Sequence, residues 1–273
     1  MTINYGRSAR IISVTSGKGG VGKTSLAVNL SVALARIGRH TLLADCDLGM
    51  ANAAILLGLN PPTTIDDVLA GRLHVEDVMM EGPEGLMVLP GGSGTGSIPE
   101  FGSVAQRHLA DGLRPHARTR DFIIVDTPTG ASPATLDMVS AADMIVLVLS
   151  DEPTAFMDAY ATVKMLTLDH GCMHFSVIAN LLDSEAAGRT LFSHFNEVVK
   201  RFLPANLNYL GSVPTDRHMR EAVLHKRCCV EAFPASPAAM ALSRIAAQIS
   251  DMSIPVSPGG QRFLGQEVGH VVR

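Results

Sequence analysis

Short apolar runs alternate along the chain with longer segments in which apolar residues recur every three or four positions. The short runs are rich in Val, Ile and Leu, which predicts buried strands at 11–15, 41–45, 86–89, 122–126, 144–149, 175–179 and 209–213. The longer segments predict helices at 24–37, 103–117, 133–141, 154–169, 186–203, 216–225 and 236–250. Because the two kinds of segment alternate, the pattern predicts an α/β fold: a doubly wound, mostly parallel sheet with helices on both faces.

The same pattern indicates a single domain. No internal repeat and no Pro/Gly-rich linker interrupts residues 10–252, which follow a short extension at 1–9. Residues 253–273 form a loop and a tail with a weak amphipathic pattern, in which Gly265 and Gly269 each disfavour a helix by roughly 1 kcal/mol relative to alanine. Basic residues in the tail are few, so we expect a frayed segment or one packed on its own domain, with weak, conditional peripheral membrane contact at most.

The composition of the chain limits the classes of protein to which it can belong. The 273 residues are 47% hydrophobic and 18% charged, which favours a sizeable core over disorder, and the net charge of −4 argues against a broadly basic nucleic-acid surface. The four cysteines form no C-x-x-C pair, which is typical of reduced thiols. No apolar run reaches the length of a membrane span and no signal peptide begins the chain, so we expect a cytoplasmic protein.

The most specific motif lies between the first predicted strand and the first predicted helix. Gly17 to Thr24 fill every fixed position of the phosphate-binding pattern G-x-x-x-x-G-K-[ST]. Backbone N–H groups of such a loop converge on phosphate oxygens at a helix N-terminus, Lys23 neutralises the β- and γ-phosphates, and the Thr24 hydroxyl binds Mg²⁺. The motif therefore predicts a nucleoside triphosphate site, whose phosphate-binding residues are Gly17, Lys18, Gly19, Gly20, Val21, Gly22, Lys23, Thr24 and Ser25.

Three aspartates end predicted strands or follow them directly. Asp126 ends a run of four apolar residues, and Asp45 and Asp47 stand two apart at the end of another strand. Ligands of an open α/β sheet bind at the carboxyl ends of the strands, so these carboxylates are expected beside the phosphate loop. There they can order the water shell of Mg²⁺ and orient an attacking water.

A second lysine inside the loop, Lys18, is specific to one family. Together with the segment from Asp45 to Asn52 and with Asp126-Thr127-Pro128, it makes the chain resemble the MinD/ParA family of deviant Walker A ATPases, over nearly all of residues 10–250. The resemblance implies a P-loop NTPase fold of the SIMIBI type and Mg²⁺-dependent hydrolysis of ATP. It also implies that two ATP-bound subunits form a homodimer, which activates hydrolysis.

The resemblance assigns roles to individual residues. Lys18 reaches the partner subunit's nucleotide and acts with Lys23 and Asp47 in catalysis, and Asp47 positions the attacking water. Asp45 and Asp126 bind Mg²⁺ through water, while Thr24 binds it directly. Switch I, in the same resemblance, contains Asp45, Asp47 and Asn52. The residues that contact the adenine are Asn180, Pro214 and Asp216.

Within the family, three segments are similar to the flagellar-number regulators FlhG and FleN. They are the glycine-rich stretch at 82–94, the segment 213–223 and the segment 233–238. This similarity implies a switch that sets the number or placement of flagella and communicates with a protein partner, either an activator or a flagellar or division component. Two alternatives remain: a MinD-type ATPase that places the division site and a ParA-type partitioning ATPase. A partitioning ATPase would bind nucleic acid, which the net charge of −4 makes unexpected for this chain.

Overall fold

A computed structural model describes residues 9–47, 52–92 and 103–253, with the backbone alone at 103–107. Within these ranges one eight-stranded sheet has the order β3-β4-β2-β5-β1-β6-β7-β8, and all neighbours are parallel except the pair β3 and β4. The strands are β1 Arg10–Thr15, β2 Thr41–Asp45, β3 Met80–Glu81, β4 Met87–Leu89, β5 Phe122–Asp126, β6 Met144–Leu149, β7 His174–Leu182 and β8 Asn206–Pro214. The predicted mostly parallel sheet is confirmed.

Helices cover both faces of this sheet. They are α1 Lys23–Arg36, α2 Asn52–Leu56, α3 Ile65–Leu69, α4 Val75–Val78, α5 Ser103–Ala117, α6 Pro133–Ser140, α7 Pro153–His170, α8 Glu185–Phe202, α9 Arg217–Leu224, α10 Cys229–Ala232 and α11 Pro237–Asp251. Alternate strand residues face opposite cores, so Ile12 packs with α1 and α11 whereas Ile11 packs with α3, α4 and α5. A third cluster joins β6 and β7 to α7 and α8.

The elements that the sequence pattern missed are short. They are the two-residue strand β3 and the helices α2, α3, α4 and α10, each of four or five residues. One or two turns are too few to show a helical period in the sequence. The pattern also began β8 three residues late, because its first residues are partly exposed and therefore lack an apolar run.

Several predictions fall outside the described residues. They concern part of the switch I segment at 48–51, the glycine-rich stretch from 93 onward, the N-terminal extension up to residue 8 and the tail from 254 to 273. Among the helices that the structure does describe, none combines the length and the low polarity needed to cross a bilayer.

Candidate functional site

The phosphate-binding motif occupies the turn between β1 and α1, at the carboxyl edge of the sheet. Gly22 precedes α1 with a φ of 88°, a left-handed conformation that favours glycine, and its carbonyl accepts the first helical bond from the Leu26 amide. Gly17 lies against the backbone of α7: an added Cβ would be 2.2 Å from the carbonyl carbon of Asp158. The packing of the loop against α7 therefore requires glycine at position 17, whatever the backbone conformation of the loop.

A buried ion pair forms the floor of the site. Lys23 Nζ donates to Asp126 Oδ1 at 2.6 Å, and both side chains are almost fully buried. The Thr24 hydroxyl lies 3.5 Å from the same ammonium. The second oxygen of the Asp126 carboxylate, Oδ2, is buried and makes no hydrogen bond within the described residues. Burial raises the pKa of Asp126, while the Lys23 charge acts in the opposite direction.

Asp45 lies directly beside Asp126, because the two residues are register partners on the neighbouring strands β2 and β5. Its carboxylate accepts hydrogen bonds from the amides of Asp47 at 3.2 Å and of Ala53 at 3.1 Å. Burial and the charge of Asp126 raise the pKa of Asp45 to about 8. Two carboxylates and one ammonium therefore share a buried space, an arrangement that could hold a further cation.

Gly91, which was not predicted as a site residue, lies directly against the Asp45 side chain. A Cβ added at Gly91 would lie 2.6 Å from both Asp45 Cγ and Asp45 Oδ2. Gly91 lies two residues after the end of β4, and the neighbour of β4 in the sheet is β2, which carries Asp45. The Pro90-Gly91-Gly92 sequence after a predicted strand was a signal that could have identified this close approach.

Lys18 points away from the buried ion pair and binds the start of α7. Its Nζ donates to Glu152 Oε2 at 2.5 Å and to Thr154 Oγ1 at 2.8 Å. The side chains of Lys18 and Glu152 are 36% and 59% exposed, so water screens the pair. No local pattern in the sequence indicates either partner, since both lie more than a hundred residues from Lys18 along the chain.

The three residues assigned to the adenine do not form one cluster of free side chains. Asn180 is buried and donates its Nδ2 to the Val21 carbonyl of the phosphate loop at 2.7 Å. Pro214 ends β8, and Asp216 caps α9. The Asp216 carboxylate accepts from the His218 amide at 2.9 Å and from the Ala238 amide at 3.0 Å.

These bonds determine the ionisation of Asp216. Burial alone would raise its pKa, but the bonds from the Ala238 and His218 amides outweigh burial and hold the pKa below its ordinary value. Both oxygens of the Asp216 carboxylate therefore already accept hydrogen bonds from within the protein. The structure thus brings the loop, Asp45, Asp126 and Asn180 together, and it places the Asp216 side chain against the start of α11.

Of the remaining predicted residues, Asp47 and Asn52 flank the part of switch I that the structure leaves out. Both are half-buried, and Asp47 is tied to Asp45 through its amide. Gly19 and Gly20 are exposed at the rim of the loop, while Thr24 and Ser25 lie half-buried in the first turn of α1.

Comparison with known proteins finds relatives along nearly the whole chain and solved structures with the same fold. The chain is 41% identical over 251 residues to the antiactivator FleN of Pseudomonas aeruginosa, covering 92% of this chain and 90% of that protein. It is 28% identical to the flagellum site-determining protein YlxH of Helicobacter pylori, covering 88% of this chain and 81% of that protein. The structure of the septum site-determining protein MinD of Pyrococcus horikoshii, complexed with Mg-ADP, matches with a TM-score of 0.73 and 28% identity, covering 89% and 96% of the two chains.

A family-wide comparison covers most of the chain. Residues 12–228 match the CobQ/CobB/MinD/ParA nucleotide binding domain. The matched range contains the phosphate loop, the buried ion pair, Asp45 and Asn180. The match covers well over half of the chain, so this chain belongs to the CobQ/CobB/MinD/ParA nucleotide-binding domain family.

Proposed function

We propose that the chain is an ATP-dependent dimerising switch that hydrolyses ATP to ADP and phosphate and regulates the number or placement of flagella. The observation that carries this proposal is the similarity to the antiactivator FleN along nearly the whole of both chains, combined with an intact phosphate loop that contains Lys18. The similarity to YlxH supports the same assignment. MinD/ParA relatives are P-loop ATPases, which makes ATP the expected nucleotide.

The phosphate loop and Lys23 bind the β- and γ-phosphates in this proposal. A phosphate group competes with Asp126 for the Lys23 ammonium, which now donates to that carboxylate at 2.6 Å. Asn180 holds the loop backbone through Val21, and it contributes to the adenine site together with Pro214 and the segment at Asp216. The loop is therefore held from both sides, by Asn180 and by α7 at Gly17.

The donor set fits Mg²⁺. Asp126 Oδ2 is buried without a hydrogen bond, Thr24 presents a hydroxyl at the first turn of α1, and Asp45 lies next to Asp126. Hard oxygen donors of this kind suit Mg²⁺, which keeps several waters, so Thr24 would bind it directly and Asp45 and Asp126 through water. When bound, Mg²⁺ neutralises phosphate charge. A related MinD structure contains Mg-ADP, which supports this assignment.

Hydrolysis depends on Asp47 and on Lys18. Asp47 follows β2 beside Asp45 and orients the attacking water in this proposal. Lys18 leaves Glu152 and Thr154 and places its ammonium on the phosphates of the partner subunit, where developing charge needs stabilisation. The contact with Glu152 is largely exposed, so its loss costs on the order of 1 kcal/mol at most.

Replacing Gly17 with alanine should weaken nucleotide binding at least tenfold and lower the free energy of unfolding by about 1–3 kcal/mol. The added methyl would meet backbone atoms of Asp158 and Ala159, which cannot rotate away. Isothermal titration with ADP and thermal unfolding measure the two effects. Gly19→Ala is the matched control, because its methyl would meet only Thr129 Cγ2 at 3.8 Å. Equal losses in the two variants would show that packing against α7 is not the cause.

Binding of Mg-ADP at pH 7 should release a proton. Burial and the charge of Asp126 raise the pKa of Asp45 to about 8, so most of this carboxyl is protonated at pH 7. A nearby divalent cation favours the carboxylate, which gives up its proton, and affinity should therefore rise with pH up to about pH 8. Titration calorimetry in buffers of different ionisation enthalpy counts the protons released. The control is ADP with EDTA, for which proton release should be smaller; equal release with and without Mg²⁺ would contradict the assignment.

The switch is tested by the nucleotide dependence of the oligomeric state. Asp47→Ala should bind ATP and remain dimeric, since closure survives while water positioning fails, whereas the wild type should return to monomer as ATP is consumed. Size-exclusion chromatography with light scattering in ATP and in ADP measures both. An Asp47→Ala protein that stayed monomeric in ATP, beside a wild type that dimerised, would show that the role given to Asp47 is wrong.

The cellular output is tested separately. Deletion of the gene should change the number or position of flagella per cell, as counted by electron microscopy. Placement of the division site is the second candidate, favoured by the similarity to septum site-determining proteins such as that of Pyrococcus horikoshii. Minicells together with normal flagella in the deletion strain would select it, and an ATP-dependent, salt-sensitive gel shift would select a partitioning role.

A further inference from the structure

One surface of the protein concentrates positive charge and exposed apolar side chains. Residues 217–227 contain four basic residues and one acidic residue, in a chain whose net charge is −4. Leu224 is 77% exposed at the end of α9, and Val223 beside it is 42% exposed. We define the α9 surface by Arg217, Arg220, Val223, Leu224 and Lys226.

The basic residues of the α9 surface have no acidic partners in the part of the chain that the structure describes. Arg227 is paired with Glu231 at 2.8 Å, but Arg217, Arg220 and Lys226 make no ion pair there. Arg217, Arg220 and Leu224 follow one another at helical spacings of three and four, so they share one stripe of α9. The charges are therefore free to meet an incoming group.

The turn after α9 has a conformation that its sequence does not favour. The Lys226 amide donates to the Val223 carbonyl and the Arg227 amide to the Ala222 carbonyl, which is the hydrogen-bond pattern of a Schellman motif. Lys226 has a φ of 52° at the position that this motif usually gives to glycine. Lysine at this position keeps an exposed ammonium at the edge of the surface.

The turn also contacts the nucleotide side of the protein. Gly58, two residues after α2, lies so close to the turn that an added Cβ would be 2.5 Å from the Lys226 carbonyl oxygen. At its other end α2 is bound to the site, since the Ala53 amide donates to Asp45. Ile55, between these two contacts, is 54% exposed. A short helix thus connects Asp45 with the turn that ends α9.

We propose that the α9 surface is a docking site for an acidic, amphipathic segment of a partner protein. Carboxylates of the segment would meet Arg217, Arg220 and Lys226, and its apolar side chains would cover Leu224 and Val223. A nucleic-acid backbone would need the positive charges alone, and exposed leucine and valine contribute nothing to phosphate binding. The combination of charge with apolar area therefore favours a protein segment.

Binding itself does not require the switch, whereas its dependence on nucleotide rests on the proposed function. The probe is a fluorescent peptide of about five helical turns made of Glu, Leu and Ala with leucines on one face. A scrambled peptide of equal composition and a DNA duplex are the comparisons. Fluorescence anisotropy with the full-length protein, without nucleotide and with ATP, measures the affinities.

The double variant Leu224→Ala, Lys226→Gly should raise the dissociation constant for the patterned peptide at least tenfold. Lys226→Gly alone should weaken binding while leaving the melting temperature unchanged or raising it by roughly 1–4 °C, because glycine suits the left-handed turn. Leu168→Ala, at a leucine of α7 that is 58% exposed, is the control and should bind as the wild type does. A purely structural role for Lys226 would lower stability in the glycine variant instead.

Three results would overturn the proposal: equal affinity for patterned and scrambled peptides, equal losses in the double variant and in Leu168→Ala, or binding of the duplex without binding of the peptide. ATP hydrolysis by the double variant should stay within about twofold of the wild type, because neither residue lies at the phosphate loop. If the wild type binds the peptide but shows no hydrolysis or dimerisation, the proposed function fails and the docking site stands.

Discussion

Lys23→Ala is expected to abolish nucleotide binding, with a dissociation constant for ADP raised at least about 100-fold. Charge-assisted bonds to phosphate contribute about 1.5–3 kcal/mol each, and Lys23 carries the single buried ammonium beside Asp126 in the described residues. A loss of about 2.7 kcal/mol corresponds to that factor. Isothermal titration with Mg-ADP measures it directly.

The same substitution should also destabilise the fold, because it leaves Asp126 beside Asp45 without a buried cation. Removing one partner of a buried pair costs about 3–5 kcal/mol when the other charge stays unpaired. The folded-state pKa of Asp126 is already raised by burial and rises further without Lys23, so the folded protein binds more protons than the unfolded chain. Stability is therefore lost as pH rises, and the deficit against wild type should be larger at pH 8 than at pH 5.

A second substitution separates the two effects. Lys23→Ala, Asp126→Asn removes the unpaired charge, and it should recover much of the stability without restoring nucleotide binding. Lys23→Met keeps the apolar stem of the lysine and should lose binding as fully as Lys23→Ala does. Near-normal binding by the methionine variant would show that the loop backbone, and not the ammonium, provides the affinity.

The sequence predicted the sheet well because strands that are buried on both faces appear in the sequence as continuous apolar runs, such as 144–149. It also predicted that Asp45 and Asp126 would meet, since each ends such a run. Short helices such as α2 were not predicted, because one turn of helix is stabilised by its tertiary contacts and not by its own periodicity.

The contacts that hold the phosphate loop could not be predicted from the sequence either. The packing of Gly17 on α7, the approach of Gly91 to Asp45 and the bond from Asn180 to Val21 each join residues far apart in the chain. A motif states which residue types the chemistry needs, but it does not state which distant backbone must pass close to them. The same limit explains why Glu152 was not anticipated as a partner of Lys18.

Lys18→Gln is expected to retain nucleotide binding within about threefold and to lose ATP-dependent dimerisation. Turnover should fall by about 10²–10³, the loss that follows removal of one group stabilising transition-state charge. Stability should change by less than about 1 kcal/mol, because the contact of Lys18 with Glu152 is exposed. Phosphate release, light scattering in ATP and thermal unfolding measure the three quantities, and Lys164→Gln, at an exposed lysine of α7, is the matched control.

Mixing two inactive variants tests whether Lys18 acts on its own nucleotide or on the partner's. Lys18→Gln is expected not to dimerise with itself, but a heterodimer with Asp47→Ala keeps one Lys18 for the interface. In that heterodimer the nucleotide of the first subunit has its own Asp47 and receives Lys18 from the second. One active site is then complete, so the mixture should hydrolyse ATP although neither variant does so alone. If Lys18 served its own subunit, no subunit would hold both groups and the mixture would stay inactive. Recovery of turnover on mixing therefore requires that the ammonium now bound to Glu152 crosses to the other protomer.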